Sequence, residues 1–234
     1  MTTIGGIPVT TVGAVAVGTA LVYTGIKVVR GKLYDFVIVG LTTGWYREVL
    51  ELLSPKARML DVGIGTGMAL LHNKALVESK NLFVDGVDYD KDYITDCKKN
   101  VSAHGLDDSI HVHHASIYDY TSSTPYDAVY FSGSLMIMPD PVKALSHTAS
   151  LLTSTGRIYV TQTIQTQKSW LMEVGKPLLK FLTTVDFGNV TYEDDFERTV
   201  TAAGLCIVVN QAISGSTKES VRSSRLFVLE KSTK

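Results

Sequence analysis

The sequence has only two cysteines and no excess of either charge, and these shortages exclude several classes of protein. Cys97 and Cys206 lie far apart, so they form neither a metal-ligand spacing nor a disulfide framework. The 22 Lys and Arg residues balance 23 Asp and Glu residues without a basic stripe, so we expect no nucleic-acid partner. Hydrophobic residues make up 45% of the 234 positions, which is enough for one large folded domain.

Charged side chains are missing altogether from the first 26 residues. The run from Ile4 to Ile26 exceeds the roughly 20 apolar residues that a membrane helix needs, although glycines and threonines dilute it. A cleaved signal peptide is disfavoured because no basic segment precedes the run. We therefore predict an N-terminal transmembrane-type helix over residues 4–26, within an anchor segment 1–32. The alternative is a flexible or core-buried N-terminal arm.

Basic residues follow the apolar run at once, at Lys27, Arg30 and Lys32. Positive charge beside a membrane helix usually stays on the cytosolic side. We therefore expect the remainder of the chain, residues 33–234, to form one domain that faces the cytosol.

The body of the chain alternates short apolar runs with helical patterns. Five such runs are separated by helices, and two more close the chain without a helix between them. This alternation predicts an α/β fold, a doubly wound and mostly parallel seven-stranded sheet with helices on both faces. The last two strands should form a hairpin, which places one antiparallel strand in the sheet. The seven predicted strands are RMLDVG, NLFVDGVDYD, SIHVHHASI, YDAVYFSGS, GRIYVTQTI, LCIVVNQAIS and SRLFVLEK.

Three glycines follow the first predicted strand, in the stretch MLDVGIGTGMALL. Glycine permits positive φ and lets a ligand approach the main chain, and this turn is the usual ligand site of a doubly wound sheet. The lysine of a phosphate-binding loop is absent, and the spacing G-x-G-x-G differs from that of a dinucleotide site. Asp61, just before the glycines, would repel a pyrophosphate and attract a cationic amino-acid group.

A second acidic residue, Asp88, comes 25 residues after Gly63 at the end of the second predicted strand. A carboxylate there can accept hydrogen bonds from both ribose hydroxyls. Asp88 could also simply cap the next helix. Together, Asp61 and Asp88 favour a nucleoside that carries an amino acid as the ligand.

With these motifs in their order, the chain resembles the class I S-adenosylmethionine-dependent methyltransferases over about residues 45–230. LDVGIGTG is similar to their first motif, GVDYDKDYI to their second, and the stretch from Ser134 to Thr163 to their fourth strand, helix and fifth strand. The resemblance implies S-adenosyl-L-methionine as cofactor, with Asp61 orienting its ammonium group. It further implies that Gly63, Gly65 and Gly67 line the methionine and ribose, and that Asp88 binds the ribose.

The resemblance also assigns residues to the adenine and to the methyl group. Tyr89 matches the residue that lies on the adenine, and the alternative is that it belongs to a core. Ser116 occupies the place where the family often has an acid, with Ile117 beside it. Ser132, at the end of the fourth strand, lies where that family delivers the methyl group.

No residue of the sequence stands out as a general base, and the methyl acceptor is open. Tyr34, Tyr46, Trp170 and Met172 are the candidate acceptor contacts, and ordinary core packing is the alternative for them. An anchored enzyme with an apolar mouth favours a lipid or quinone-type small molecule, or a membrane-associated protein side chain, as acceptor. The rival hypotheses are a catalytically silent, anchored interaction subunit with the same fold and a nicotinamide oxidoreductase.

Histidines at positions 111 and 113 share one face of the third predicted strand, because side chains alternate along a strand. They offer two metal ligands, and no third can be named from the sequence. We therefore predict no metal site.

Overall fold

The computed structural model describes residues 38–166, 191–213 and 215–232, together with the backbone of residues 3–4 and 7–8. Thr3–Ile4 pairs antiparallel with Ile7–Pro8, so the helix predicted over residues 4–26 is wrong at Ile4, Ile7 and Pro8. The rest of the predicted transmembrane-type helix over residues 4–26 lies outside the described residues, as does a helix predicted over Trp170–Thr183. None of the helices in the described ranges combines the length and apolar character that a bilayer crossing requires.

Seven strands form one sheet in the order β3-β2-β1-β4-β5-β7-β6. Strands β1 to β5 are parallel, and β7 runs antiparallel to both of its neighbours. The predicted sheet with a single antiparallel strand from a closing hairpin is therefore confirmed. The strands are β1 Arg58–Val62, β2 Phe83–Asp88, β3 Ile110–His114, β4 Tyr126–Ser132, β5 Leu152–Gln165, β6 Leu205–Ala212 and β7 Arg222–Lys231.

Helices cover both faces of this sheet, as the alternating pattern predicts. One core contains Val49, Leu50 and Cys97, and the core on the opposite face contains Leu145 and Phe196. The helices are α1 Gly40–Leu52, α2 Met68–Leu71, α3 Lys74–Ser79, α4 Lys91–Ala103, α5 Pro141–Ser150 and α6 Glu193–Ala202, with a 3₁₀ turn at Leu135–Ile137.

The local sequence explains where α4 begins and ends. Asp90 starts α4 by accepting hydrogen bonds from the main-chain N–H groups of Asp92 and Tyr93. The same helix stops before Gly105, whose φ of 65° is the left-handed conformation that glycine adopts at helix ends. Gly105 was predicted in this role.

A single predicted helix over MALLHNKALVESK is wrong, because the chain forms α2 and α3 with a break at Asn73. The Asn73 amide donates to the carbonyl oxygens of Ala69 and of Thr43, at 2.9 and 3.0 Å. A side chain that bonds the main chain of its own helix and of α1 competes with regular helical bonding. At this break, the Asn73 side chain links the end of α2 to α1. Helix α1 forms one wall of the site described below.

Lys80, just after α3, closes the C-terminal end of α1. Its Nζ donates to the carbonyl oxygens of Leu50, Glu51 and Leu53 at 2.9, 2.6 and 2.7 Å. The carbonyl end of a helix lacks partners and carries partial negative charge, so an ammonium group is well suited to it.

A buried carboxylate, Asp85, joins its own strand, β2, to three other strands near the amino ends of the sheet. It accepts hydrogen bonds from the Arg58 guanidinium at 2.5 Å and the Tyr126 hydroxyl at 2.8 Å. On β3, His113 Nε2 and His111 Nδ1 lie 3.0 and 3.7 Å from the other Asp85 oxygen. The predicted shared face of the two histidines is therefore confirmed, and the described residues include no cluster arranged to hold a metal ion.

Candidate active site

The three glycines form the turn between β1 and α2. Gly63, Gly65 and Gly67 have φ values of 80°, 58° and 74°, in the region that side chains disfavour. A Cβ on Gly63 would lie 2.7 Å from Ser134 Cβ, and one on Gly67 would lie 2.7 Å from Cys97 Sγ. Glycine is therefore needed at these two positions by both conformation and packing.

Asp88 holds this glycine turn from the neighbouring strand. Its Oδ2 accepts the main-chain N–H of Gly65 at 3.0 Å, and its Oδ1 accepts that of Asp90 at 2.9 Å. Val87, directly before it, accepts the N–H groups of Gly63 and Ile64 through its carbonyl oxygen. The predicted ribose-binding residue is thus beside the predicted glycine loop.

Asp61 lies beneath the same turn and is fully buried. Its Oδ2 accepts a hydrogen bond from the Tyr46 hydroxyl at 2.8 Å, whereas its Oδ1 has no hydrogen-bond partner among the described residues. Burial raises the pKa of Asp61 to about 7, the Tyr46 hydrogen bond acts against this, and the charge of Asp88 adds to it. Burial without a partner for one oxygen, and repulsion from a second acid nearby, both disfavour the charged form of Asp61. A cationic ligand would offset both effects.

A shallow, open cleft lies between α1 and the glycine turn. Its walls come from the start and first turns of α1 on one side and from the glycine turn and α2 on the other, with Ser132 at the end of β4. The lining residues are Ile38, Val39, Thr42, Tyr46, Gly63, Ile64, Thr66, Gly67, Met68, Ala69 and Ser132.

The end of β4 lies beside β1, and Ser132 there lines the cleft. The Ser132 hydroxyl is buried and has no hydrogen-bond partner in the part of the chain that the structure describes. Ser134 donates its hydroxyl to the carbonyl oxygen of Val62 at 2.5 Å, which fixes the loop after β4 against the end of β1. The sequence-predicted Ser132 is therefore in the cleft, and Ser134 supports it.

The residues predicted around the adenine lie past the ends of β2 and β3. Tyr89 is 81% exposed, and its carbonyl oxygen is 3.0 Å from the His114 ring. Asp88 and His114 are register partners, so Ser116 and Ile117 follow directly beside the end of β2. Ile117 is buried among the side chains of the α5 face, whereas Ser116 is half-buried.

One relationship at the site was missed from the sequence. Tyr46 was expected to contact the acceptor, yet it is 3% exposed and bonded to Asp61. Its place on the apolar stripe of α1 was the available signal, because the helix buries that stripe against the sheet. The other candidate acceptor contacts, Tyr34, Trp170 and Met172, lie outside the described residues.

Comparisons with known proteins agree with this geometry. A family model for a methyltransferase domain matches residues 53–197, more than half of the chain. No curated protein matches the chain in sequence.

Several solved structures share the fold at low sequence identity. The cyclase SpnF is 15% identical with a TM-score of 0.66, and the match covers 82% of each chain. Geranyl diphosphate C-methyltransferase from Streptomyces coelicolor A3(2), solved with Mg²⁺, geranyl diphosphate and S-adenosyl-L-homocysteine, is 12% identical with a TM-score of 0.62, over 82% of this chain and 78% of that one.

A third structure is the O-methyltransferase NcsB1 from neocarzinostatin biosynthesis, in complex with S-adenosyl-L-homocysteine and 1,4-dihydroxy-2-naphthoic acid. It is 18% identical with a TM-score of 0.63, and the match covers 85% of this chain but 57% of that one. At these identities the likeness concerns the fold alone.

Proposed function

The chain belongs to the methyltransferase domain family, and we propose that it methylates a lipid or quinone-type small molecule, or a protein side chain, at or near a membrane. It is an S-adenosylmethionine-dependent methyltransferase. The acceptor class and the membrane are the parts that we propose.

The unpaired Oδ1 of Asp61 is the observation that carries the cofactor assignment. Asp61 and Asp88 form no ion pair within the described part of the chain, and burial raises the pKa of both. An ammonium group would supply the missing positive charge next to Asp61. The carboxylate of Asp88, at the edge of the turn, can accept hydrogen bonds from ribose hydroxyls while it holds Gly65.

The bound cofactor supplies a methyl group on a sulfonium, which an acceptor displaces in line. This chain contributes orientation to that reaction, in a cleft between two walls. α1 forms a wall with Val39 and Tyr46, and the close-packed glycine turn forms the opposite wall. Ser132, at the end of β4, offers a hydroxyl with no partner to groups that bind in the cleft.

An apolar acceptor is supported by the side chains after β4. Ile137 is 46% exposed, and Met136 and Met138 are half-buried beside it. Methionine is unbranched and polarisable, so such a surface adapts to bulky apolar molecules. Geranyl diphosphate and dihydroxynaphthoic acid in the similar structures are molecules of this general kind, although they belong to those proteins.

Membrane attachment is supported by the uncharged run over residues 4–26 and by the basic residues that follow it. In this proposal residues 1–32 anchor the enzyme and the domain over residues 33–234 faces the cytosol. Carbonate extraction of membranes from cells that express the full chain tests this. An anchored protein stays in the pellet, and release into the supernatant would contradict the proposal.

Calorimetric titration of S-adenosylhomocysteine into the full-length protein tests the function. We expect micromolar binding, and we expect labelled S-adenosylmethionine to transfer its methyl group to a component of a membrane extract. Folded protein that binds neither cofactor form would contradict the cofactor site. Binding without any transfer to membrane components would contradict the proposed acceptor class.

A further inference from the structure

We propose that Tyr46 is a positioning residue whose hydroxyl holds one oxygen of the Asp61 carboxylate and directs the other oxygen toward the ammonium group of the cofactor. This inference rests on the proposed function. Tyr46 lies on α1, outside the glycine motif and outside the strand that carries Asp61.

The Tyr46 hydrogen bond occupies one oxygen of Asp61 and leaves the other available to a ligand. Oδ2 accepts from the Tyr46 hydroxyl at 2.8 Å, and Oδ1 has no partner. A carboxylate that is bonded on one side only keeps a fixed orientation, so the second oxygen is presented in one direction. Tyr46 itself lines the cleft, so it connects the cleft wall with the buried acid.

The Tyr46 ring is held where it can make this bond. It packs edge-on against Tyr130 with ring centroids 4.9 Å apart and an interplanar angle of 85°. The Tyr130 hydroxyl is in turn bonded to Thr161 Oγ1 at 2.8 Å. Tyr46 is 3% exposed and Tyr130 is fully buried, so the surrounding core leaves the two rings little freedom.

The other titratable groups around Asp61 do not replace this hydroxyl. Asp88 on β2 adds a negative charge, which opposes ionisation of Asp61. Burial raises the pKa of Cys97 on α4 to about 12, and burial also raises the pKa of Tyr130 on β4, where the charge of Glu48 contributes. Both groups therefore stay neutral near pH 7, and the Tyr46 hydroxyl is the contact that favours the Asp61 anion.

The test is the pH dependence of S-adenosylhomocysteine binding by full-length wild type and Tyr46→Phe, measured by calorimetry from pH 6 to 9. Tyr46→Phe removes a hydrogen bond to the charged form of Asp61, which should raise the pKa of Asp61 by about one unit. We expect the dissociation constant of Tyr46→Phe to be about three-fold higher at pH 7.5 and within about 1.5-fold of wild type at pH 9. The titration of the ligand itself is common to both proteins and cancels in their ratio.

Tyr130→Phe is the matched control, because it removes one hydroxyl from a neighbouring buried tyrosine that bonds to Thr161 and keeps the ring that packs against Tyr46. Its binding should follow the wild-type pH profile. A Tyr46→Phe protein that is weakened equally at every pH would overturn the inference, since loss of packing alone has that effect. So would a Tyr46→Phe profile that matches wild type.

A second measurement separates this inference from the proposed function. Because the folded pKa of Asp61 is raised, its stabilising contribution is complete below about pH 4 and is lost as the pH rises through about 7. In the ligand-free Tyr46→Phe protein the pKa of Asp61 is higher, so the free energy of unfolding should continue to fall up to a higher pH than in wild type. If wild type failed to bind S-adenosylhomocysteine, the proposed function would fail, while an unchanged stability profile in Tyr46→Phe would still refute the Tyr46–Asp61 coupling.

Discussion

The carboxylate of Asp88 accepts the main-chain N–H of Gly65 at 3.0 Å, so the residue predicted to bind the ribose also fastens the glycine turn to β2. The two acids of the site therefore differ in how many of their oxygens have hydrogen-bond partners. Asp88 already has two main-chain partners, whereas Asp61 has an oxygen without any.

Asp88→Ala should remove both the ribose contact and the bond to Gly65. Hydrogen bonds to charged groups contribute about 1.5–3 kcal/mol each, so we expect the affinity for S-adenosylhomocysteine to fall by about 30-fold or more. Isothermal titration measures this. Asp90→Ala is the control, because Asp90 caps α4 two residues away. It should lower the free energy of unfolding by about 1 kcal/mol and change the affinity less than about two-fold.

Gly67→Ala should destabilise the fold more than Gly105→Ala does. Both glycines have positive φ, but a Cβ on Gly67 would meet Cys97 Sγ, whereas one on Gly105 would meet nothing within 4 Å. Backbone strain alone costs about 1–2 kcal/mol, and the clash adds about 1–3 kcal/mol at Gly67. Urea unfolding of the two variants gives the comparison, and equal losses would show that the Cys97 contact is unimportant.

Asp85→Asn should destabilise the protein in a pH-dependent way. Burial alone would raise the pKa of Asp85, but the bonds from His113 and Tyr126 and the charge of Arg58 hold it below its ordinary value of 3.8. The contribution of the carboxylate is thus complete above about pH 4 and is lost as the pH falls through the lower folded pKa. We expect Asp85→Asn to lose about 2–3 kcal/mol of unfolding free energy at pH 7 and progressively less under acid conditions.

A matched surface variant calibrates the Asp85 measurement. Asp96 is exposed and pairs with Lys99 one turn along α4. Asp96→Asn should change the unfolding free energy by less than about 0.5 kcal/mol at any pH. A similar loss in both variants would mean that the Asp85 cluster contributes nothing beyond surface charge.

Lys80→Met should loosen the C-terminal end of α1, because three carbonyl oxygens lose their partner. The apolar stem is retained, so the loss reports the ammonium contacts, and we expect about 1–2 kcal/mol by thermal unfolding. Lys99→Met, on the exposed face of α4, should cost less than about 0.5 kcal/mol. No difference between the two lysine variants would refute the capping role.

The strands and both site acids could be predicted from the sequence because each depends on neighbouring residues. An apolar run marks each strand, and the glycine turn and Asp61 are contiguous with β1. Features that join distant segments could not be predicted in this way. Asn73 breaks the predicted helix by reaching Thr43, 30 residues away, and Asp85 gathers groups from β1, β3 and β4.

The role of Tyr46 depended on such a distant contact too. Helical spacing places it on a buried stripe but does not say which strand residue its hydroxyl meets. Only the packing of α1 over the end of β1 brings it to Asp61, 15 residues later.

The unpaired oxygen of Asp61 has a calorimetric consequence. With a pKa of about 7, part of the ligand-free population carries a proton on this carboxyl near neutrality. A ligand ammonium that favours the anion must expel that proton into the solvent. The heat of cofactor binding should therefore vary with the ionisation enthalpy of the buffer, and the slope of that variation counts the fraction of a proton released for each molecule bound.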